Sequence, residues 1–201
     1  MGDFAQNGFV TTLHNFGTKS VEQFEKELKT FSGYRPMELI LPSLYSELEG
    51  AALKHIVEQL SQVDYISHVI IGLDNADKEQ FLRASHFFSK LNKPFSLLWN
   101  DGPRLRAIHD ELEDMQLAPT ELGKGRNVWY CIGLAHARGK AEALALHDCD
   151  ITTYDRSLLA RLFYPIANPN FQFEFCKGYY ARVVDGKMNG RVSRLLVKPL
   201  L

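Results

Sequence analysis

The sequence of 201 residues has few cysteines and no excess of charge of either sign. Its three cysteines are odd in number and lack the spacing of a metal site, so no disulfide framework is expected. The formal net charge of -1 argues against a broadly cationic nucleic-acid-binding protein. There is no signal-peptide pattern and no apolar run of the ~18 residues that a membrane span needs. We therefore predict a cytoplasmic globular protein that binds neither nucleic acid nor a membrane.

Several enzyme signatures are also missing. The sequence contains no G-x-S-x-G nucleophile elbow, no zincin histidine pair and no C-x-x-C motif, so hydrolase and redox functions lack support. The P-loop spacing G-x-x-x-x-G-K-[ST] is absent as well.

Between residues 37 and 150, short apolar runs alternate with segments of helical periodicity. Such alternation is typical of an α/β fold with a mostly parallel sheet flanked by helices. After residue 150 the pattern changes, and Asp185-Gly186 is a hairpin-turn dipeptide, which predicts a mixed C-terminal annex. The predicted strands are 37–41, 68–73, 95–99, 143–147, 171–176 and 179–184, and the predicted helices are 21–31, 51–63, 78–91, 103–115, 126–137, 157–164 and one that begins at 191.

Ligands of open α/β sheets bind beyond the carboxyl ends of the strands, and three segments are expected there. The first is the loop 42–50 after the first strand, where Pro42 ends the apolar run and Glu47 and Glu49 follow. An equally good interpretation is that this segment caps the next helix.

The second segment is Gly123-Lys124-Gly125-Arg126, which opens a predicted helix. Glycines let the backbone approach a phosphate, the helix N-terminus is partly positive, and Lys124 and Arg126 add full charges. Taken alone, a solvated glycine turn would explain the same residues better.

The third segment is Asp148-Cys149-Asp150, directly after the fourth strand. In an extended chain residues i and i+2 point to the same side, so both carboxylates can face one cleft. One or two carboxylates, with phosphate oxygens and water, make a site that Mg²⁺ or Mn²⁺ accepts. A D-x-D pair is common by chance, and its position is what makes it a candidate.

Positive charge is concentrated near the C-terminal end of the sequence, at Lys177, Arg182, Arg191, Arg194 and Lys198. This charge would suit a phosphorylated or carboxylated substrate. The alternative is a helix face whose cations extend into solvent.

The order of these motifs resembles the glucosyl-3-phosphoglycerate synthases, which are retaining, metal-dependent glycosyltransferases of the GT-A fold, a Rossmann-like nucleotide-sugar-binding fold. The resemblance runs from about Met37 to Leu201. The motifs that carry it are P-S-L-Y-S-E at 42–47, G-K-G-R-N-V-W at 123–129, D-C-D at 148–150, C-K-G-Y-Y at 176–180 and N-G-R-V-S-R-L-L-V-K-P-L-L at 189–201.

The resemblance implies roles for individual residues, and it implies a family pattern longer than this chain, with a metal-binding histidine that no residue here matches. Asp150 would bind the divalent metal, Asp148 would face the donor, and Arg191 would hold the acceptor. The donor site would comprise Pro42, Ser43, Leu44, Glu47, Gly123, Lys124 and Asp148, and the acceptor site Gly190, Arg191 and Ser193.

On this basis we divide the chain into an N-terminal helical extension (1–36), a nucleotide-sugar-binding core (37–150) and the incomplete start of an acceptor-binding region (151–201). The implied reaction moves glucose from a nucleoside diphosphate glucose to 3-phosphoglycerate with retention. A non-catalytic donor-binding fragment is the alternative, and a sugar nucleotidyltransferase ranks last. The sequence does not determine the base of the donor nucleotide. It also does not determine whether the acceptor is 3-phosphoglycerate or glycerate. The apolar C-terminal segment predicts a homo-oligomer.

Overall fold

The computed structural model describes residues 19–171 and 173–178, together with the backbone of two short strands at 183–184 and 187–188. Single turns of 3₁₀ helix follow the first strand and the third α-helix, at Tyr45–Glu49 and Ser89–Leu91. The α-helices are α1 (Val21–Phe31), α2 (Ala51–Ser61), α3 (Lys78–Phe88), α4 (Pro103–Asp114), α5 (Lys124–Arg138) and α6 (Arg156–Ala167). The strands are β1 (Met37–Leu44), β2 (Ile66–Asp74), β3 (Phe95–Trp99), β4 (Ala143–Leu146), β5 (Val183–Val184) and β6 (Lys187–Met188).

The first four strands form one parallel sheet in the order β3-β2-β1-β4. This arrangement confirms the predicted α/β fold with a parallel sheet. Because the strands are parallel, their carboxyl ends meet at one edge, where Leu44 of β1 lies beside Asp74 of β2 and Asn100 follows β3. The sheet thereby brings together residues that are distant in sequence.

Helices cover both faces of the sheet unequally. The larger core unites α1, α2, α3 and α6 with one face of the strands, including Phe24, Leu53, Phe88 and Phe163. The smaller core lies under α5 and contains Ile40, Ile70, Cys131 and Ala135. In the part of the chain that the structure describes, no helix has the length and apolar character to cross a membrane.

Most predicted elements are present with ends shifted by a few residues. Helix α1 matches its predicted bounds, and Ser20 accepts a hydrogen bond from the Gln23 amide, as expected of its N-cap. The prediction of a strand at 171–176 is wrong, since residues 171 and 173–176 are not strand. Strands β5 and β6 pair antiparallel across the predicted turn, although residues 185–186 and the helix predicted from 191 lie outside the described residues.

Strand β1 does not end at Pro42 as predicted, but continues to Leu44. Its pairing with β4 stops at Ile40, while its pairing with β2 runs to Leu44. Proline lacks an N–H and is tolerated in a sheet where no partner needs that group. Among the residues that the structure describes, no strand pairs with the β4 side of β1 beyond Ile40, so Pro42 does not interrupt the strand.

His68 on β2 makes the free energy of unfolding depend on pH. The imidazole is buried and lies 2.9 Å from Ser96 Oγ, and burial together with the Arg138 charge lowers the pKa of His68. The unfolded chain therefore binds a proton at a higher pH than the folded chain, and stability falls as the pH drops through about 6.5. We expect His68→Gln to reduce the loss of unfolding free energy between pH 7.5 and 5.5 in urea titrations. An unchanged pH slope would contradict this expectation.

Candidate active site

A cavity of about 440 Å³ opens at the carboxyl edge of the sheet. The ends of β1, β2 and β3 form one side, and α4 and the beginning of α5 form the other. Its lining comprises Leu44, Asp74, Asn75, Asn100, Asp101, Leu105, Arg106, His109, Leu122, Gly123, Arg126 and Tyr130. The position agrees with the rule that ligands of open α/β sheets bind at this edge.

Asp74, Asn100 and Arg126 form a polar cluster in the cavity lining. Asn100 Nδ2 donates a hydrogen bond to Asp74 Oδ1 at 2.8 Å, and Arg126 Nη2 lies 3.9 Å from the same oxygen. Burial raises the pKa of Asp74, while the hydrogen bond from Asn100 and the charge of Arg126 oppose that rise. The cluster therefore places the buried carboxyl group of Asp74 close to a cation in the cavity wall.

The start of α5 positions two cations. Gly123 precedes the helix with a φ of 117°, a conformation that residues with a side chain rarely adopt. Lys124, at the first position of the helix, donates a hydrogen bond from Nζ to Asp148 Oδ1. Arg126 faces the cavity two residues later. The structure thus brings together the glycine-lysine segment and the first carboxylate of the D-C-D segment, 24 residues apart.

Close approach of α5 to β2 holds this helix in place. Asn127 Nδ2 donates a hydrogen bond to the Gly72 carbonyl at 2.9 Å. A Cβ at Gly72 would overlap the Asn127 amide and lie 2.7 Å from Cys131 Sγ, so only glycine leaves room for α5. The geometry of Lys124 and Arg126 therefore depends on a glycine inside the sheet.

The four residues after β4 alternate between the core and the surface. His147 and Cys149 are buried, whereas Asp148 is partly exposed and Asp150 is exposed. His147 lies 2.9 Å from the Tyr154 hydroxyl, and burial lowers the pKa of its imidazole to about 4. His147 is therefore buried, whereas the two carboxylates on either side of Cys149 are accessible, and their facing one cleft stays a prediction.

The two carboxylates fit a hard divalent cation. Asp148, Asp150 and Glu47 all lie close enough to the buried Cys149 thiol to help burial raise its pKa. Among the described residues, no group of three or more histidine, cysteine, aspartate and glutamate side chains forms a metal site by itself. A pair of carboxylates completed by phosphate oxygens and water is the coordination that Mg²⁺ commonly has, and the donors present here suit it.

The segment after β1 differs from the predicted binding loop. Pro42 and Ser43 are buried within β1, and Ser43 Oγ donates to the Leu44 carbonyl at 3.0 Å. Placing these two residues in a loop was wrong, because the strand continues beyond Pro42. Glu47 Oε2 accepts a hydrogen bond from the Leu44 amide at 3.0 Å and so caps the 3₁₀ turn, and only the Leu44 side chain lines the cavity.

Asp74 and Asn100 are not among the site residues predicted from the sequence. Each stands at or directly after the carboxyl end of an apolar strand, which is the signal that could have identified both. The predicted acceptor residues Gly190, Arg191 and Ser193 lie outside the described residues, and their roles stay predictions.

Two curated proteins that match this sequence carry the name of the family that its motifs resemble. No family model matches the chain. The chain is 45% identical over 201 residues to the glucosyl-3-phosphoglycerate synthase of Persephonella marina, covering all of this chain and 50% of the relative. It is 40% identical over 202 residues to that of Methanococcoides burtonii, covering 99% of this chain and 49% of the relative. The chain thus spans about half the length of the curated relatives it matches, and the predicted resemblance is confirmed.

Solved structures with the same fold include the glucosyl-3-phosphoglycerate synthase of Mycobacterium tuberculosis. Its complex with Mn²⁺, UDP-glucose and phosphoglyceric acid matches with a TM-score of 0.58 at 17% identity, covering 94% of this chain and 56% of that one. Its UDP complex matches with a TM-score of 0.55 at 18% identity and the same coverage. At this identity the comparison establishes the fold, and the predicted GT-A architecture is confirmed.

Proposed function

We propose that this chain, a relative of the glucosyl-3-phosphoglycerate synthases, binds a nucleoside diphosphate glucose and a divalent cation for transfer of glucose to 3-phosphoglycerate with retention. The observation that carries the proposal is the contact between Lys124 and Asp148 at the carboxyl edge of the sheet. It places the two segments that the resemblance assigns to the donor diphosphate and to the metal beside each other.

The donor would lie across this edge. Its base would occupy the cavity between Leu44, Asp74 and Arg126, and its diphosphate would reach the start of α5. There the Lys124 ammonium and the free amides of the first helical turn provide positive charge. Lys124 would exchange its hydrogen bond with Asp148 for one to a phosphate oxygen, and Asp148 would then be free to face the donor.

Asp148 and Asp150 would hold the cation. Mg²⁺ or Mn²⁺ bound there would neutralise the charge that grows on the departing diphosphate. Lys124 would stabilise the same charge by a charge-assisted hydrogen bond. His147, buried and neutral above a pKa of about 4, takes no part as a ligand.

The acceptor would be held by Gly190, Arg191 and Ser193, as the resemblance implies. An arginine can bind a phosphate or carboxylate through two parallel hydrogen bonds, which a lysine cannot reproduce. Attack by the acceptor hydroxyl on the same face as the leaving group agrees with retention, because the described site offers no nucleophile placed for a covalent intermediate.

The decisive experiment combines binding with turnover. Calorimetric titration of the 201-residue chain with nucleoside diphosphates in Mg²⁺ tests the donor site, and release of nucleoside diphosphate from each nucleotide glucose with 3-phosphoglycerate tests transfer. Binding with turnover supports the enzyme. Binding without turnover, restored in a chain of the relatives' full length, supports the alternative of a donor-binding fragment. Absence of binding contradicts both.

Lys124→Ala should weaken nucleoside diphosphate binding by about tenfold, the loss expected for one charge-assisted hydrogen bond to a phosphate. Lys78→Ala is a matched control, because Lys78 is exposed at the first position of α3 and does not line the cavity. Titration of both variants with the same nucleotide compares them directly. Equal affinity in the two variants would rule out contact between Lys124 and the diphosphate.

The remaining parts of the proposal concern the whole protein. The helical extension would comprise residues 1–36, the donor-binding core residues 37–150, and the start of the acceptor region residues 151–201. A homo-oligomer and a cytoplasmic location are part of the same proposal, and light scattering of the purified chain would measure its oligomeric state.

A further inference from the structure

The two carboxylates of the D-C-D segment lie in a loop, residues 148–153, that connects β4 to α6. Asp148 is partly exposed and Asp150 is exposed, and neither belongs to a helix or a strand. Because Mg²⁺ demands a nearly fixed arrangement of its ligands, a loop that presents two of them needs a restrained backbone. The structure contains such a restraint at the two ends of this loop.

His147 and Tyr154 flank the loop and contact each other. His147 Nδ1 and the Tyr154 hydroxyl share a hydrogen bond of 2.9 Å, and the two rings meet edge to face with centroids 5.3 Å apart. The residues are 7% and 2% exposed, and a hydrogen bond in such a buried position is stronger than one in water. The contact joins the residue before the loop to the residue after it, and so fixes the distance between the loop ends.

Both partners are also attached to the rest of the fold. The His147 amide donates to the Ile40 carbonyl of β1 at 3.1 Å. His55 Nε2 on α2 donates to the Tyr154 carbonyl at 2.9 Å. Cys149, which stands between the two carboxylates, is 2% exposed and belongs to the larger core. The loop is thus held at both ends and at its buried cysteine.

We propose that the hydrogen bond between His147 and Tyr154 positions the two carboxylates of the loop before a cation binds. The inference rests on the proposed function, which assigns the cation to Asp148 and Asp150. His147 and Tyr154 are positioning residues and not ligands, because both side chains are buried and bonded to each other. Groups that orient metal ligands typically change metal affinity by about 10- to 100-fold, and a restraint that acts through the backbone should have an effect near the lower figure.

Tyr154→Phe tests the inference, because it keeps the ring and removes the hydroxyl. The unaltered chain and the variant are titrated with whichever of ADP, CDP, GDP and UDP the unaltered chain binds most tightly, once in Mn²⁺ and once in EDTA. We expect the affinity in Mn²⁺ to fall about tenfold and the affinity in EDTA to stay the same. A variant with a damaged fold would lose affinity under both conditions.

Tyr65→Phe is the matched control. Tyr65 is 1% exposed in the same core, and its hydroxyl has no hydrogen-bond partner within residues 19–171 and 173–178. The substitution removes the same buried group without breaking a hydrogen bond that joins the loop ends. The ratio of the affinities in Mn²⁺ and in EDTA should therefore equal that of the unaltered chain.

A double variant separates positioning from stability. Tyr154→Phe leaves His147 Nδ1 without this partner, and His147→Leu does the same to the Tyr154 hydroxyl, so each single variant should unfold at a lower urea concentration. The double variant contains neither group and should recover part of this stability, while its affinity in Mn²⁺ stays about tenfold reduced. His147→Leu and the double variant also carry the test if Tyr154→Phe alone fails to fold.

Three results would overturn the inference and leave the proposed function intact. These are an unchanged affinity of Tyr154→Phe in Mn²⁺, equal losses in Mn²⁺ and EDTA, and recovery of the Mn²⁺-dependent affinity in the double variant. If the unaltered chain binds no nucleoside diphosphate, or binds it equally well in Mn²⁺ and EDTA, the proposed function fails and this inference fails with it.

Discussion

Replacing Asp150 with asparagine should remove the metal-dependent part of nucleoside diphosphate binding, a loss of roughly 100-fold in affinity. Asparagine keeps the size of the side chain and removes the negative charge that attracts the cation. Because Asp150 is exposed directly after β4, its replacement should leave the core unaffected. The expected signature is that EDTA weakens binding to the unaltered chain and no longer changes binding to the variant.

The control for this experiment is Asp110→Asn, which has the same chemistry on an exposed helix position. It should respond to EDTA as the unaltered chain does. A full response to EDTA in the Asp150→Asn variant would place the cation elsewhere, and loss of turnover without loss of metal-dependent binding would argue that Asp150 acts on another step.

Gly72→Ala should lower the free energy of unfolding by about 3 kcal/mol, near the upper end of the range for an extra methyl group in a well-packed core. The new Cβ would overlap the Asn127 amide and lie 2.7 Å from Cys131 Sγ, so α5 must move away from β2. That movement would also break the hydrogen bond from Asn127 to the Gly72 carbonyl. Urea unfolding monitored by circular dichroism measures the loss.

Gly133→Ala is the matched control within α5. Gly133 is exposed, and a Cβ there meets no atom within 4 Å, so alanine should stabilise the helix by about 0.5–1 kcal/mol. Opposite signs at the two glycines would establish that contact with α5, and not backbone freedom, determines the effect at Gly72. Adding Asn127→Ala to Gly72→Ala should recover part of the loss, since it removes one of the two overlapping side chains. Strictly additive losses would contradict the proposed contact.

Apolar periodicity predicted most of the core elements because each element has to bury one of its faces. Helix α1 and strand β3 have the bounds that their spacing predicts, and the ends of other elements moved by a few residues. The prediction failed at Pro42, because whether a proline ends a strand depends on which neighbour would need its N–H. It failed again in the apolar, aromatic segment after α6, where residues 171 and 173–176 are not strand.

The candidate site likewise combines segments that the sequence shows directly with contacts that the sequence does not show. The D-C-D and glycine-lysine segments could be identified in the sequence, because each is contiguous. The first directly follows a predicted strand, and the second opens a predicted helix. The cluster of Asp74, Asn100 and Arg126 could not, because 26 residues separate the first two and their contact depends on the register of β2 and β3.

The order of the residues determines the chemical inventory of this protein, namely its individual helices and strands, its cations at the start of α5 and its paired carboxylates. Local propensity and apolar spacing act over a few residues, and these features lie within that range. The pairing of Lys124 with Asp148, the burial of Ser43 and the polar cluster in the cavity lining were decided only by the tertiary structure. Their physical cause is the parallel register of the sheet and the space that Gly72 leaves for α5.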